Sequence, residues 1–307
     1  MHTKSLGSLL ALPVIWGLYY MATNAAVSHM SVFSVGIVIR FLTMLLLTLF
    51  MSCRGQLKEL LNVKHVWRRL ILIGVLGFLL DVTAFIGLTL CPAGLGTVLL
   101  KCDILFVNLI SMIFYNYRFS KRDWMYTFVM LAGVVFVMDI DFGSIEFGGI
   151  GNIFFILSAL FVSINAFVIK SVQHDSVNPV SDNVVAYYNN FITLIFFIGF
   201  AGFSGDIVQL GKLGHDKYVT IALLLASLGQ TFVYIVYYYN LRRFPVWIVK
   251  IFLLLMPIVV TVLSYFVFDE TMSMNQYAGA AVVLAGAVGI LAEQKKKNRK
   301  AVHNQVN

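Results

Sequence analysis

The amino-acid sequence predicts an all-α integral membrane protein with ten transmembrane helices, arranged as two inverted-topology five-helix repeats. Of its 307 residues, 60% are hydrophobic and only 12% are charged, whereas soluble domains carry roughly 25% charged residues. A helix needs about 20 mostly apolar residues to cross a bilayer, so the hydrophobic residues suffice for on the order of nine or ten spans. This composition excludes a large soluble domain. A regular series of apolar runs and an internal repeat support the same fold class.

Ten apolar runs divide the chain, and polar or charged clusters separate them. The longest polar connections cover residues 53–66, 171–182 and 204–217, and none of them is long enough to fold alone. The chain is therefore predicted to cross the membrane ten times. The predicted spans cover residues 5–26, 31–52, 67–89, 93–115, 122–139, 149–170, 183–203, 218–239, 246–268 and 275–292.

Basic residues are distributed unevenly between the two sides of the predicted membrane. If the N-terminus is cytoplasmic, 17 Lys and Arg residues lie on the cytoplasmic side, whereas only Lys212 and Lys217 lie on the other. Lys and Arg collect in cytoplasmic loops, so we predict a multi-pass plasma-membrane protein with both termini cytoplasmic. The net charge of +8 then reflects topology, and no nucleic-acid partner is predicted. The 17 residues are Lys4, Arg54, Lys58, Lys64, Arg68, Arg69, Arg118, Lys121, Arg122, Lys170, Arg242, Arg243, Lys295, Lys296, Lys297, Arg299 and Lys300.

The chain repeats itself when it is shifted by 153 positions. Residues 90–138 then align with residues 243–291 without a gap, and both copies contain a proline and a Leu-Ala-Gly run at matching positions. Each half holds five spans, and an odd number of spans reverses the orientation of the second copy. Substrate sites of such inverted repeats lie near the membrane midplane between the halves. The predicted domains are a first repeat at 5–139, a second repeat at 149–292 and a basic cytoplasmic tail at 293–307.

Several short motifs resemble the EamA-type unit of the drug/metabolite transporter superfamily. In the first half they are residues 91–101 and 117–124, followed by the Leu-Ala-Gly run, and Trp16-Gly17 and Arg40 also match the family pattern. The second copy is closer to the pattern, with Met256-Pro257, Phe268-Asp269-Glu270 and Gln276-Tyr277-Ala278-Gly279.

The resemblance covers nearly the whole chain as two units. It is weaker in the first unit, where Ile104 and Tyr117 stand at positions that often hold proline and glutamate in the family. The resemblance implies a ten-helix permease whose central cavity is lined by the first four helices of each half. It also implies secondary transport of small metabolites, often by export.

Five ionisable residues lie inside the predicted spans, where a charge costs from about 2.5 to over 10 kcal/mol depending on the reference state. Such residues are functional candidates by default, and here they are Arg40, Asp81, Lys101, Asp103 and Lys250. Asp81 is midway along the third span, so it either faces a cavity or forms a structural ion pair. Arg40 either cross-links helices or binds an anion directly, because its guanidinium can hold several acceptors at once.

Lys101 and Asp103 are only two residues apart on one predicted helix. At 100° per residue they point about 160° away from each other. We therefore expect one to line the cavity and the other to contact a neighbouring helix, and the sequence does not say which. In the alignment of the two repeats, Lys250 corresponds to a position one helical turn before Lys101. The two lysines therefore lie on similar helix faces in the two halves. Each lysine either lines the cavity or pairs with Asp81 or Asp103.

Uncharged candidates come from aromatic and amide side chains. Trp16 and Tyr20 are four residues apart and share a helix face, as do Tyr234 and Tyr238, and such pairs can stack a ligand. Gln230 either binds substrate or joins two helices. Pro257 inside the ninth span is predicted to bend that helix, either at a moving part or as a static kink. Lipid-facing or interfacial packing is the expected position for the tyrosines at the end of the eighth span, Tyr237, Tyr238 and Tyr239.

The absence of several sequence motifs narrows the function. No Walker A, H-E-x-x-H or G-x-S-x-G motif is present, and all six histidines lie in predicted loops or tails. We therefore predict neither an enzyme nor direct use of ATP, and no cofactor. The three cysteines, Cys53, Cys91 and Cys102, have no spacing that indicates a disulfide or a metal site.

Together with these observations, the resemblance implies a secondary active permease, an exporter, of a small metabolite. If all five buried charges face one cavity, the cavity carries a net charge of +1, which favours an amino-acid-like or weakly anionic substrate over a lipophilic cation. Asp81 and Asp103 are the candidates for proton coupling. The alternative is a membrane scaffold or accessory subunit that transports nothing. The predicted partners are a small-molecule substrate and the lipid bilayer, and the sequence leaves a homodimer open.

Overall fold

The computed structural model describes residues 3–90, 98–138, 149–268 and 273–306, and in these ranges it contains helices and no strands. This confirms the predicted all-α class. The helices are α1 (Thr3–Val27), α2 (Val32–Cys53), α3 (Trp67–Leu90), α4 (Asp103–Tyr115), α5 (Lys121–Val137), α6 (Ile150–Gln173), α7 (Asp182–Ser204), α8 (Lys217–Arg243), α9 (Val246–Leu253), α10 (Met256–Phe268) and α11 (Met274–Val306).

Nine helical segments of the described chain are long and apolar enough to cross a bilayer. They agree with nine of the ten predicted spans to within a few residues. The remaining prediction, at 122–139, corresponds to the 17-residue helix α5, and its predicted end lies outside the described residues.

Side-chain caps explain where several helices begin and end. Ser120 and Asp123 form a capping box at the start of α5, in which each side chain accepts a hydrogen bond from the backbone of the other. Asp216 accepts hydrogen bonds from the first backbone N–H groups of α8. Helix α7 ends at Gly205, whose φ of 78° favours glycine because it has no Cβ. These caps fix the helix ends at the polar connections that the sequence predicts.

Helix contacts match when the two halves are exchanged. If the helices of each half are numbered in order, α1 corresponds to α6, α2 to α7, α3 to α8 and α5 to α11. Helix α1 packs mainly on α8, and its counterpart α6 packs mainly on α3, the counterpart of α8. Helix α2 packs on its own counterpart α7, and α5 packs on α11. Every helix that would line a central cavity is therefore held by a helix of the other half.

Glycines bring α5 and α11 into direct backbone contact. A Cβ added at Gly279 would lie 2.5 Å from the nitrogen of Val137 and 2.7 Å from the oxygen of Gly133. A Cβ added at Gly133 would lie 2.8 Å from the Val283 side chain. No larger residue fits at either glycine unless the helices separate.

The fourth helix is interrupted in both halves at corresponding positions. In the first half, residues 98–101 are helical, Cys102 forms a turn and α4 starts at Asp103. In the second half, α9 ends at Leu253 and α10 starts at Met256. Pro257 lies in the first turn of α10, where its missing N–H leaves no helical hydrogen bond unmade.

Candidate functional site

A cavity of about 130 Å³ lies between the two halves. Its walls come from α1, α2, α3 and the interrupted fourth helix of the first half, and from α6, α7, α8, α9 and the start of α10 in the second half. This is the set of helices that the family resemblance implies. The cavity wall contains nine of the residues predicted as site residues, Trp16, Tyr20, Arg40, Asp81, Lys101, Asp103, Gln230, Tyr234 and Lys250. Pro257 is not in the wall, although its neighbour Met256 is.

Arg40 and Asp81 form a buried ion pair on one side of the cavity. The guanidinium donates one hydrogen bond to Asp81 Oδ2 and another to the Tyr234 hydroxyl. The two charged side chains are only 5% and 8% exposed. The backbone oxygen of Arg40 also accepts a hydrogen bond from the Asn190 amide, at 2.8 Å. The pair therefore joins α2, α3 and α8, and Arg40 rather than a lysine compensates the charge of Asp81.

Lys250 and Asp103 form the second buried ion pair, which crosses between the halves. The Lys250 Nζ lies 2.7 Å from Asp103 Oδ2, and the lysine side chain is 1% exposed. The Ser163 hydroxyl donates to the backbone oxygen of Asp103 at 3.0 Å. This pairing is one of those the sequence left open, and it brings together the two interrupted fourth helices.

The expectation that only one of Lys101 and Asp103 faces the cavity is wrong, because both line it. The expected contact with a neighbouring helix is made by Asp103, which pairs with Lys250. The angle between Lys101 and Asp103 was calculated for a continuous α-helix, whereas Cys102 between them forms a turn. Lys101 Nζ lies 3.5 Å from the thioether sulfur of Met256, which is a weak acceptor. No carboxylate oxygen of the described residues lies within 4.0 Å of this nitrogen. Two ion pairs cancel, so the net positive charge of the cavity resides on Lys101.

Three buried polar atoms of cavity residues have no hydrogen-bond partner in the described part of the chain. They are the hydroxyls of Tyr20 and Tyr237 and the Oδ1 atom of Asn165. Tyr20 belongs to α1 and Asn165 to the corresponding helix α6, so these two residues come from opposite halves. Buried polar groups are usually satisfied, so the unpaired atoms of these two residues make them candidates for contact with a ligand or water. The sequence analysis missed Asn165, although its amide interrupts the apolar run of the sixth span.

The expected interfacial position of Tyr237 and Tyr238 is also wrong. The two side chains are 5% and 1% exposed, and both line the cavity. The reason is the length of α8, which continues to Arg243 rather than ending near residue 239. Only Tyr239 stays partly exposed, where the Arg243 guanidinium stacks 3.5 Å from its ring centre.

At one end of the bundle, two ion pairs fasten the α6–α7 loop to α3 and α8. Arg69 of α3 donates to the carboxylate of Asp175 and, at 3.1 Å, to the backbone oxygen of Ser171. Arg242 of α8 donates to Asp182 Oδ1 at 2.5 Å. We call these two ion pairs, Arg69–Asp175 and Arg242–Asp182, the α6–α7 clasp. From the sequence alone, both arginines indicate only which side of the membrane is cytoplasmic.

Two further features stabilise this end of the bundle. Lys170 Nζ donates to the backbone oxygens of Leu241 and Phe244, at 2.5 and 2.8 Å, and so satisfies carbonyls at the end of α8. Hydrogen bonds from Arg69, and from the backbone N–H of Asn178, lower the pKa of Asp175 from 3.8 to about 2. Asp175 therefore stays ionised at any physiological pH.

No group of three or more metal-ligating side chains occurs in the described ranges. Cys53 and Cys102 are free thiols, and Cys91 lies outside the described residues. The cavity wall combines two buried ion pairs with aromatic side chains.

Comparison with known proteins identifies the family. The model of the EamA-like transporter family matches residues 4–139 and, as a second copy, residues 149–292. The chain belongs to the EamA-like transporter family. One crystal structure of a protein shares the fold of this EamA-like chain, with a TM-score of 0.78 and 16% sequence identity, over 96% of this chain and 99% of that one. The comparison with curated proteins finds no match.

Membership of this family assigns the coarse function. The members are membrane transporters of the drug/metabolite superfamily, not enzymes, and the nine apolar helices make this chain a multi-pass membrane protein. Both family copies contribute walls to the cavity between them.

Proposed function

We propose that this EamA-like chain is a secondary active permease that exports a small, amino-acid-like metabolite from the cell through the cavity between its halves. The observation that carries the proposal is the convergence of all five intramembrane charges on one buried cavity. Each such charge is costly inside a membrane, and a protein that merely spans or scaffolds has no need to collect them around an empty space.

The contacts of α5 and α11 support inverted topology and ten spans. Gly133 meets Val283, and Met130, which precedes Gly133 in α5, meets Gly286, which follows Val283 in α11. Residue numbers therefore rise along one helix as they fall along the other, so these corresponding helices run antiparallel. Antiparallel counterparts are what an inverted repeat requires. Ten crossings then place both termini on the side with the basic loops, which we assign to the cytoplasm of a plasma-membrane protein.

Cavity charge and size support the substrate class. Two ion pairs leave a net charge of +1, which disfavours a lipophilic cation and suits a zwitterion or a weak anion. The volume of about 130 Å³ holds a small metabolite but is below the roughly 300–1,000 Å³ of pockets for drug-sized ligands.

The two ion pairs also suggest how transport is coupled to protons. Asp81 and Asp103 each hold a cation from another helix. A substrate that draws the cation away would leave the aspartate unpaired in a low-dielectric site, where it binds a proton more readily. Release of the substrate restores the ion pair and expels the proton, so proton and substrate bind and leave together and their transport is coupled.

Tracer exchange in proteoliposomes tests the transport activity. Purified protein is reconstituted and offered a panel of radiolabelled amino acids, carboxylates, neutral solutes and quaternary ammonium compounds. We expect exchange of one or more amino-acid-like compounds above protein-free vesicles. Exchange of quaternary ammonium compounds alone would overturn the substrate class. A panel in which nothing exchanges would favour the scaffold alternative.

Two aspartate variants test the coupling. Asp81→Asn and Asp103→Asn keep the side-chain shape but cannot titrate. If either carboxylate carries the proton, its variant still exchanges labelled substrate but no longer accumulates it when a pH gradient is imposed. Glu293→Gln, whose carboxylate only faces Arg122 at 3.5 Å near the surface, is the matched control. Gradient-driven accumulation at the parental rate in both single variants and the double variant would show that coupling lies elsewhere.

A further inference from the structure

We propose that Lys101 binds the carboxylate of the transported metabolite, and that Asn165 Oδ1 accepts a hydrogen bond from a donor on the same molecule. This inference deepens the proposed function and depends on it. It defines the substrate class as a singly charged carboxylate with at least one hydrogen-bond donor.

Lys101 is the only cavity cation without a carboxylate partner in the described chain. Arg40 is held by Asp81, and Lys250 is held by Asp103. The Lys101 side chain is buried to a similar extent, since the residue is only 8% exposed. Within hydrogen-bond distance, its ammonium group contacts the thioether sulfur of Met256, at 3.5 Å. A buried ammonium in this position favours any anion that can enter the cavity.

Residues with unpaired buried polar atoms line the same cavity as Lys101. The carbonyl-type atom Asn165 Oδ1 accepts hydrogen bonds only, so its partner must be a donor such as an amino or hydroxyl group. The Tyr20 hydroxyl can either donate or accept a hydrogen bond. Both atoms belong to residues of the cavity wall and neither has a partner among the described residues, so a ligand donor that contacts Asn165 Oδ1 would supply the partner that this atom lacks.

The amount of negative charge favours a carboxylate over a phosphate monoester as the ligand of Lys101. A carboxylate places one negative charge beside Lys101 and so pairs with this ammonium group one to one. A phosphate monoester carries about −1.5 to −2 at pH 7 and would leave a buried negative excess. The aromatic side chains of Trp16 and Phe85 in the cavity wall provide apolar surface for the rest of the molecule.

Substitutions at Met256 test whether Lys101 is the anchor without removing it. Met256→Glu places a carboxylate beside Lys101 and so supplies from the protein the charge that the substrate would bring. Met256→Gln has nearly the same size but no charge, so the comparison isolates the carboxylate. We expect Met256→Glu to exchange tracer roughly tenfold or more slowly than Met256→Gln, the loss expected for one charge-assisted hydrogen bond. Equal rates in two folded variants would contradict the assignment.

Matched ligand pairs test the substrate class. Each amino acid of the panel is compared with its carboxamide, for example leucine with leucinamide and phenylalanine with phenylalaninamide. We expect the acid to exchange at least about tenfold faster than the amide in the parental protein. Lys101→Met should lower exchange of the acid by a similar factor and should not lower exchange of the amide, which has no carboxylate for Lys101 to bind. Lys217→Met, which removes an exposed lysine, is the control for the loss of a positive charge.

The outcomes distinguish this inference from the proposed function. Equal exchange of acid and amide by the parental protein, or acid exchange at the parental rate by Lys101→Met, overturns the role of Lys101 and leaves transport intact. Failure of every compound to exchange, neutral and cationic ones included, overturns the proposed function and this inference with it. Size-exclusion profiles of the purified variants show whether each one is folded.

Discussion

Arg40 and Asp81 compensate each other inside the membrane, so removal of either charge leaves the other one buried and unpaired. Arg40→Met leaves the Asp81 carboxylate buried without a cation, and breaking a buried ion pair in this way costs about 3–5 kcal/mol. Replacing both partners, as Arg40→Met with Asp81→Leu, removes both desolvation penalties and is close to neutral. We therefore predict a much lower melting temperature for the single variant in detergent and a recovery in the double variant. A double variant no more stable than the single one would contradict the ion pair.

At the scale of single residues, the sequence predicts which charged residues matter but not how they pair. Arg40, Asp81 and Lys250 are recognisable because a charge within an apolar run is rare and costly. Their partners depend on which helices are neighbours, and apolar runs of similar composition do not encode that. Asn165 is missed for a different reason, since a single amide in a span serves equally well to join two helices.

At the scale of helices, the interruption of the fourth span shows where sequence rules for continuous helices fail. Pro257 marks the second-half interruption, but the first half is interrupted at the corresponding place with Ile104 in the proline position. The break therefore does not depend on proline alone. In the first half it allows both Lys101 and Asp103 to line the cavity, a result that no calculation based on regular helix geometry gives.

The glycine contacts between α5 and α11 predict a position-specific effect of a single methyl group. Gly279→Ala places a Cβ against the α5 backbone, which cannot move aside as a flexible side chain can. We expect a loss of about 1–3 kcal/mol in stability, the usual cost of overpacking. The same change at Gly199, in α7, meets no atom within 4 Å and should be neutral or stabilising by up to about 1 kcal/mol because alanine favours helix. Equal melting temperatures for the two variants would show that α5 and α11 are not in backbone contact.

The α6–α7 clasp predicts a stability contribution that does not change with pH in the physiological range. The pKa of Asp175 is lowered from 3.8 to about 2, so its contribution is complete above pH 3.8 and is lost only as pH falls towards 2. Asp175→Asn should lower the melting temperature by the same amount at about pH 5.5 and pH 7.5. His65 is the other titratable group besides Arg69 that faces Asp175, with Nε2 3.9 Å from its Oδ2, so both proteins carry His65→Gln. A difference that changes between these two pH values would contradict a permanently ionised Asp175.

At the scale of the whole molecule, charge asymmetry and the internal repeat together predict a definite topology. Single cysteines are introduced at Lys58 and at Glu146 in a protein whose native cysteines are replaced by serine. We expect an impermeant thiol reagent to label position 146 in intact cells and position 58 only after the cells are opened. The opposite pattern would contradict both the cytoplasmic N-terminus and the assignment of the basic loops.

Sequence alone also predicts the large-scale plan better than the detail, because composition and periodicity fix the class and the repeat. The cavity itself requires the pairing of α1 with α8 and of α3 with α6, which follows from packing across the two halves. Tyr238 illustrates the difference, since its place in the sequence indicates an interface whereas the length and packing of α8 bury it in the cavity.

The central claim is that substrate passes through the cavity between the halves, and filling that cavity tests it most directly. Ala84 of α3 lines the cavity, and Ala84→Trp occupies the space with an indole ring. Ala281 is exposed on α11, so Ala281→Trp is the matched control for the same change in size. We predict that initial rates of tracer exchange in proteoliposomes fall roughly tenfold or more for Ala84→Trp, as a lost binding site requires, and stay at the parental rate for Ala281→Trp. A folded Ala84→Trp protein that exchanges tracer at the parental rate would contradict the account.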